Sequence, residues 1–252
     1  MAVLNADDER VTSMATVTSA RVVTFGTSVG ATVRADNLET DERDRPSFDL
    51  VTPDGSARVT MQLPGSHLVI NALAAAAVAW VLGMPADDAA VGLSSAKVLS
   101  KWRMEVVERS DGVTIINDAY NASPESMRAA LKSLKQMAQG RRAWAVLGEM
   151  RELGDDTVPE HDAIGRLAVR LDIQRLVVVG QGARPIHLAA HLEGSWGEES
   201  VFVPDVQAAS ELVVRGVRPG DIVLVKASRA IGLERVASAL FENATAATGD
   251  EQ

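Results

Sequence analysis

Three short segments place ionisable or hydroxyl groups where an apolar run gives way to a helix-forming stretch. The first is Asn117-Asp118-Ala119-Tyr120-Asn121-Ala122-Ser123-Pro124, directly after Thr114-Ile115-Ile116. An aspartate there can accept hydrogen bonds from a ribose, as acidic residues do in nucleotide-binding folds. The same residue types belong in turns, and Ser123 and Pro124 suit the N-cap and first position of a helix. Residue chemistry alone leaves these two readings level. The second is Lys226-Ala227-Ser228-Arg229, two cations and a hydroxyl where a strand is expected to meet a helix N-terminus. Helix N-termini favour anions, so cations there point to a bound phosphate or carboxylate. The third is Gly148-Glu149-Met150, which closes Ala145-Val146-Leu147.

Other candidates carry weaker arguments. Gly180-Gln181-Gly182-Ala183-Arg184-Pro185 holds two glycines of a G-x-G-x-x-G fingerprint, but Pro185 stands in place of the third. It reads as an ordinary strand-to-helix turn, which disfavours an NAD-binding protein. His187 and His191 have the i,i+4 spacing of zinc ligands, but no HExxH pattern, and no metal site is assigned. His161 is expected near a helix start, lining a cleft. Asp7-Asp8-Glu9 reads as an acidic surface turn. Lys97 and Lys101-Trp102-Arg103 form either a solvated linker or a source of cations for a phosphate. The sequence contains no G-x-x-x-x-G-K-[ST], no G-x-S-x-G and no cysteine. It therefore offers no P-loop and no thiol nucleophile.

Periodicity gives the elements that must position these groups. Residues 21–26, 31–37, 48–51 and 57–63 are expected as strands of an antiparallel hairpin region, with Pro53-Asp54-Gly55 as a turn. Ser66 is expected to cap a helix over 67–82, and a short helix follows over 85–92. Beyond about residue 99 the texture changes. Strand-like runs at 104–108, 114–117, 142–147, 175–180, 200–203 and 221–226 alternate with helical runs at 124–139, 159–171, 184–192, 205–216 and 228–242. Such alternation implies an α/β fold, a mostly parallel sheet with helices on both faces. The polar junctions then share the carboxyl edge of that sheet, where ligands bind. A domain boundary near 99–103 divides 1–99 from 100–252, and 243–252 is expected to be disordered.

Composition narrows the classes. The 252 residues suit one large or two ordinary domains, and the 46% hydrophobic content suffices for a core. A net charge of -9 argues against nucleic acid and anionic membranes as partners. The absence of cysteine excludes disulfides and is compatible with a reducing cytosol. No basic-then-apolar leader opens the chain, and the longest apolar run, 68–82, is too short to span a bilayer. A soluble cytoplasmic protein is expected.

The ordered set VLNADD, GSHLVINALAA, KWRMEV, IINDAYNASPESM, VLGEMRELG, H-x-x-I-G and VKASR resembles the Mur ligase family, over residues 2–241. DAYNASP and LGEMRELG set the resemblance nearest the branch that adds D-alanyl-D-alanine to UDP-N-acetylmuramoyl-tripeptide in peptidoglycan synthesis. The resemblance implies a three-domain, monomeric enzyme using ATP and Mg2+. ATP phosphorylates the peptide carboxylate, and the dipeptide amine attacks the acyl phosphate. Residues 1–99 would be the second half of the central ATPase domain, and 100–252 the Rossmann-like C-terminal domain. By position, Asn71 would contact adenine, Arg103 the ATP phosphates and Asp118 the ribose. Tyr120 and Asn121 would lie near the nucleotide and acyl phosphate. Lys226, Ser228 and Arg229 would face the incoming amino substrate, with Arg103 and Lys226 aiding catalysis. Glu149 and His161 would fall in the same cleft, on the substrate side. Leu68 stands where the family usually has Asn. The family's P-loop, its magnesium-binding His and Glu and its carbamylated lysine have no counterpart in this sequence. Metal ligands are therefore not expected here, and the chain alone is expected to have negligible ligase activity. A folylpolyglutamate-synthase-like ligase and a non-catalytic nucleotide-binding remnant are the alternatives.

Overall fold

The computed structural model describes residues 1–97, 100–194 and 199–247, with 243–247 as backbone alone. The chain divides into two compact units, Met1–Lys97 and Val98–Gln252. Leu99, at the expected boundary, lies outside the described residues.

In the first unit, Ala2–Asn5 (β1), Val22–Gly26 (β2), Val33–Thr40 (β3), Pro46–Thr52 (β4) and Gly55–Thr60 (β5) form one sheet in sequence order. The hairpin region is antiparallel as its turn chemistry requires, with Pro53-Asp54 joining Thr52 to its partner Gly55. The other half departs from expectation, because β1, β2 and β3 run parallel. A parallel step without a crossover helix is possible because β2 and β3 share only two pairs, Phe25↔Val33 and Gly26↔Arg34. The helices are Glu9–Ser13 (α1), Leu68–Val81 (α2) and Ala86–Ser95 (α3). Small residues of α2 (Ala72, Ala76, Ala77) let it lie close against Val23, Val33, Phe48 and Leu50 of the sheet. Ser66 does not cap α2. The residue before the helix is His67, in helical backbone geometry and without a side-chain cap. Its ring folds over Gly65, where φ is +115° and a Cβ would stand 2.5 Å from the ring.

The second unit is the alternating fold. Its strands are Glu105–Glu108 (β6), Thr114–Asn117 (β7), Ala143–Leu147 (β8), Arg175–Val179 (β9), Ser200–Val203 (β10) and Ile222–Lys226 (β11). Its helices are Pro124–Ala138 (α4), Thr157–Arg170 (α5), Arg184–Glu193 (α6), Val206–Gly216 (α7) and Glu234–Ala247 (α8). The sheet order is β10-β9-β8-β11-β7-β6, parallel throughout except for β6. Residues of α4, α5 and α6 bury against one face and those of α7 and α8 against the other. Ser123 caps α4 as expected, in a reciprocal pair with Ser126. The last helix does not start at Ser228. A 3-10 turn over Arg229–Ile231 and a left-handed Gly232 (φ +73°) delay it to Glu234. It continues through Ala247, where disorder was expected; 248–252 lie outside the described residues. Among the described residues no helix is long and apolar enough to cross a membrane.

The H-x-x-I-G segment explains one close contact. Ile164 is fully buried, and a Cβ on Gly165 would stand 2.1 Å from the Ile186 carbonyl oxygen and 3.0 Å from Ala189 Cβ. Only glycine lets α5 approach the α6 backbone this closely. Gly165→Ala is therefore expected to cost about 3 kcal/mol through overpacking. Gly92→Ala, in exposed α3 with open space around it, is expected to stabilise by about 0.5–1 kcal/mol. Urea midpoints of the two variants check both signs.

Candidate functional site

β11 lies between β7 and β8, and the helices after those neighbours pack on the face opposite α8. Chain direction therefore diverges at the carboxyl end of β11, the crevice where open α/β sheets bind ligands. Lys226 ends β11 and is only 2% exposed. Its Nζ donates to Asp118 Oδ2 at 2.6 Å and to the Asn121 carbonyl at 2.8 Å. Asp118 follows β7 directly, and its Oδ1 accepts the Met104 N–H at 3.0 Å. Burial pushes the Lys226 ammonium below the ordinary lysine range. The charge and hydrogen bond of Asp118 oppose that, the Arg103 charge adds to it, and the net direction is down.

The segment before β6 is fastened to the same loop. Trp102 (φ +62°) and Met104 (φ +45°) both hold left-handed backbone, which disfavours side chains with a Cβ by about 1–2 kcal/mol each. The Met104 N–H to Asp118 and the Tyr120 N–H to the Trp102 carbonyl, 3.0 Å, hold them there. Between them, the Arg103 guanidinium carbon sits 4.3 Å from the Tyr120 ring centroid, and that of Arg229 sits 5.4 Å from it. Both arginines are exposed, and neither pairs with an acid among the described residues. Two guanidiniums on one aromatic ring, neither paired with an acid among the described residues, suit an anionic ligand.

Three expectations need correction here. No helix begins at Ser228, so the helix-dipole argument for an anion at 226–229 lapses. Lys226 is buried beneath the 118–121 loop and does not face an incoming substrate. His161 is fully buried, not cleft-lining. Its Nε2 accepts the Met150 N–H at 2.9 Å, so Nδ1 carries the proton shared with the Thr157 carbonyl at 2.6 Å. Ser228 is 7% exposed, and its Oγ accepts the Arg151 N–H at 2.9 Å. With Gly148 N–H to Lys226 O and Ser228 N–H to Glu149 O, both 3.0 Å, it laces the loops after β8 and β11 together. A Cβ on Gly148 would meet Ala227 Cβ at 2.7 Å, so the lacing needs that glycine.

Glu149 does reach the crevice edge. Its carboxyl lies over Gly182, where a Cβ would stand 2.3 Å from Glu149 Cδ. The two glycines of the 180–185 turn thus serve a left-handed bend (Gly180, φ +85°) and room for Glu149. His187 and His191 meet edge to face at 4.4 Å, with His187 Nδ1 2.8 Å from Ser200 Oγ. Both histidines and Ser200 line a cavity of about 730 Å³, with Arg142, Trp144, Arg175 and Phe202, at the amino ends of β8, β9 and β10, the opposite edge of the sheet from Asp118 and Lys226.

In the first unit, Asn71 is exposed in the first turn of α2, and its amide makes no hydrogen bond to a described residue. Asp7 is more than an acidic surface residue. Its carboxylate accepts the backbone N–H and hydroxyl of both Thr27 and Ser28 at 2.6–3.1 Å, joining the ends of β1 and β2. Desolvation would raise its carboxyl, but those bonds outweigh it and hold the group below the usual 3.8.

An open α/β sheet with its polar junctions on the carboxyl edge defines the class as doubly wound, of the kind that takes small anionic ligands at the switch point. The chain belongs to the Mur ligase family: residues 1–79 match the Mur ligase middle domain, and 102–229 match the Mur ligase, glutamate ligase domain. It is 48% identical to the UDP-N-acetylmuramoyl-tripeptide--D-alanyl-D-alanine ligase of Mycobacterium tuberculosis (strain ATCC 25618 / H37Rv), covering 96% of this chain and 51% of that one. Against the ligase of the same name from Escherichia coli (strain K12) it is 32% identical, covering 79% of this chain and 42% of that one. Among solved structures, MurF from Acinetobacter baumannii superposes with a TM-score of 0.82 at 30% identity, covering 95% of this chain and 51% of that one. The chain spans about half the length of the curated relatives it matches.

Two tests follow from this geometry. His161→Ala removes the only acceptor shown for the Met150 N–H, and is expected to destabilise the second unit by about 1–3 kcal/mol beyond any cavity cost. Loss of Met150 amide protection in hydrogen exchange checks it. Asp7 has a folded value below its unfolded one, so its contribution is present above the unfolded value and fades as pH falls through the folded one. Asp7→Asn is expected to be less stable than the parent at about pH 6, with the difference shrinking as pH falls below the usual 3.8 of an aspartate. Urea midpoints across that range decide.

Proposed function

We propose that this chain forms part of the ATP-dependent ligase that adds D-alanyl-D-alanine to UDP-N-acetylmuramoyl-tripeptide in peptidoglycan synthesis. Residues 1–99 are the latter part of its central ATPase domain and 100–252 its C-terminal domain. The carrying observation is the Asp118 carboxylate, fixed by Lys226 in the same loop as Tyr120, whose ring bears Arg103 and Arg229, neither paired with an acid among the described residues. The 48% identity to a ligase of this name supports the substrate class.

The residues divide the work by their chemistry. Each Asp118 oxygen accepts one bond and keeps a further lone-pair site, enough to receive ribose hydroxyls. Arg103 suits bidentate contact with phosphoryl oxygens and Arg229 the carboxylate of the incoming amino substrate, and the Tyr120 ring holds both guanidiniums until those contacts form. Asn121, exposed in the same loop, would approach the same phosphoryl oxygens, and Asn71, exposed in the first unit, would contact adenine. Glu149 supplies a carboxylate on the side of the incoming amine. Bound ATP supplies the phosphoryl group that turns the peptide carboxylate into an acylating agent. No group of three or more His, Cys, Asp or Glu among the described residues could hold a metal ion, so the Mg2+ ligands are not assigned to them. The net charge of -9 supports small-molecule substrates over nucleic acid or anionic membrane, and we infer a cytoplasmic monomer.

In a ligase of the relatives' full length containing this chain, Asp118→Ala is expected to raise the KM for ATP about 10- to 100-fold, as loss of hydrogen bonds to a charged group implies. An unchanged KM for ATP would overturn the reading.

A further inference from the structure

We infer that Lys226 is a positioning residue, a buried ammonium that fixes the Asp118 carboxylate and the Asn121 carbonyl so that loop 118–121 is preformed for a nucleotide ribose. This deepens the proposed function and rests on Asp118 as the ribose-holding acid.

Lys226 Nζ draws two points of one loop, three residues apart, to a single centre at 2.6 and 2.8 Å. That fixes the loop's curvature, leaving Tyr120 half-buried and Asn121 exposed above. The Asp118 N–H is itself bonded to the Val225 carbonyl at 2.9 Å, so the acid is held by main chain and side chain from the same strand. With Oδ2 taken by Lys226, Oδ1 meets the Met104 N–H, which sets the backbone on either side of Arg103. One ammonium thus orients the acid, the loop and the arginine-bearing segment. At 2% exposure it would have to break both bonds to meet a substrate. A purely stabilising role fits poorly, since desolvating a lysine and an aspartate tends to cancel their attraction.

The first experiment is on the unliganded 252-residue chain, labelled with 15N and 13C. A slowly exchanging Lys226 ammonium with a through-hydrogen-bond coupling to Asp118 Cγ is expected. A freely exchanging ammonium without that coupling overturns the inference, whatever the variants do. The second is on the full-length ligase, comparing kcat/KM for ATP and for 2′,3′-dideoxy-ATP. Lys226→Met is expected to lose the preference for ATP by about tenfold or more, matching Asp118→Asn. A structural defect would lower both substrates equally and keep the ratio, so a retained ratio in Lys226→Met overturns the inference. If Asp118→Asn itself keeps the parent ratio, the ribose reading fails instead, and the inference falls with it even if the coupling is present. Should Lys226→Met not fold, the coupling in the parent chain decides alone.

Discussion

The Lys226–Asp118 pair is the interaction on which the crevice depends. A lysine at the end of a strand buried on both faces is an expensive residue, and the direction of its shift says that burial outweighs its partner. Such a pair adds little to stability. Its effect is to make one arrangement of the loop far better than the alternatives, because moving Asp118 away would strand an ammonium without its counter-charge. Geometry is bought here with stability that the surrounding valine- and leucine-rich sheet supplies.

Around that pair, backbone bonds and small residues set the crevice before any ligand arrives. Gly148 and Ala227 let the β8 and β11 loops touch, Ser228 and Glu149 lace them, and His161 holds the Met150 amide from beneath. The left-handed Trp102 and Met104 are strained residues that persist because the 118–120 loop over-determines them. Such strain at a domain junction falls on the segment that carries Arg103.

The sheet of the second unit was legible because its runs are short, β-branched and separated by helical periods. Tertiary placement was less so. The parallel pairing of β1, β2 and β3 was hidden because four residues, Ala2–Asn5, carry no pattern of their own, and because the six-residue link from β2 to β3 works only when those two strands barely overlap. The expected site residues of the second unit lie at the carboxyl edge of its sheet while Asn71 lies in the first unit, and the surroundings of Lys226, Ser228 and His161 differ from expectation. Lys226 and Ser228 looked like ligand-facing groups at a helix start, but Gly232 in left-handed geometry postpones that helix. Nothing local in Lys-Ala-Ser-Arg reveals that the lysine points down toward Asp118, 108 residues away. His161 looked like a cleft residue because histidine near a loop invites that reading, whereas its partner is a main-chain amide.

The same sorting divides the family motifs by kind. His161, Ile164 and Gly165 of H-x-x-I-G, and Gly148 of VLGEMRELG, are conditions of close packing and meet protein closely. Arg103, Tyr120, Asn121 and Arg229 meet solvent on at least one side. Between the two sets stands Asp118, partly exposed and fully oriented. An acid fixed from below and cations parked on an aromatic ring have opposite physical requirements. Under the proposed function the carboxylate must not move, because a ribose would be read by hydrogen-bond direction. The guanidiniums can move, because a ring face holds a cation by only about 0.5–1 kcal/mol when exposed, and under the proposed function they would follow the charge of a phosphoryl group. A rigid base under a yielding rim is what a site needs when it must recognise one part of a ligand and follow charge in another.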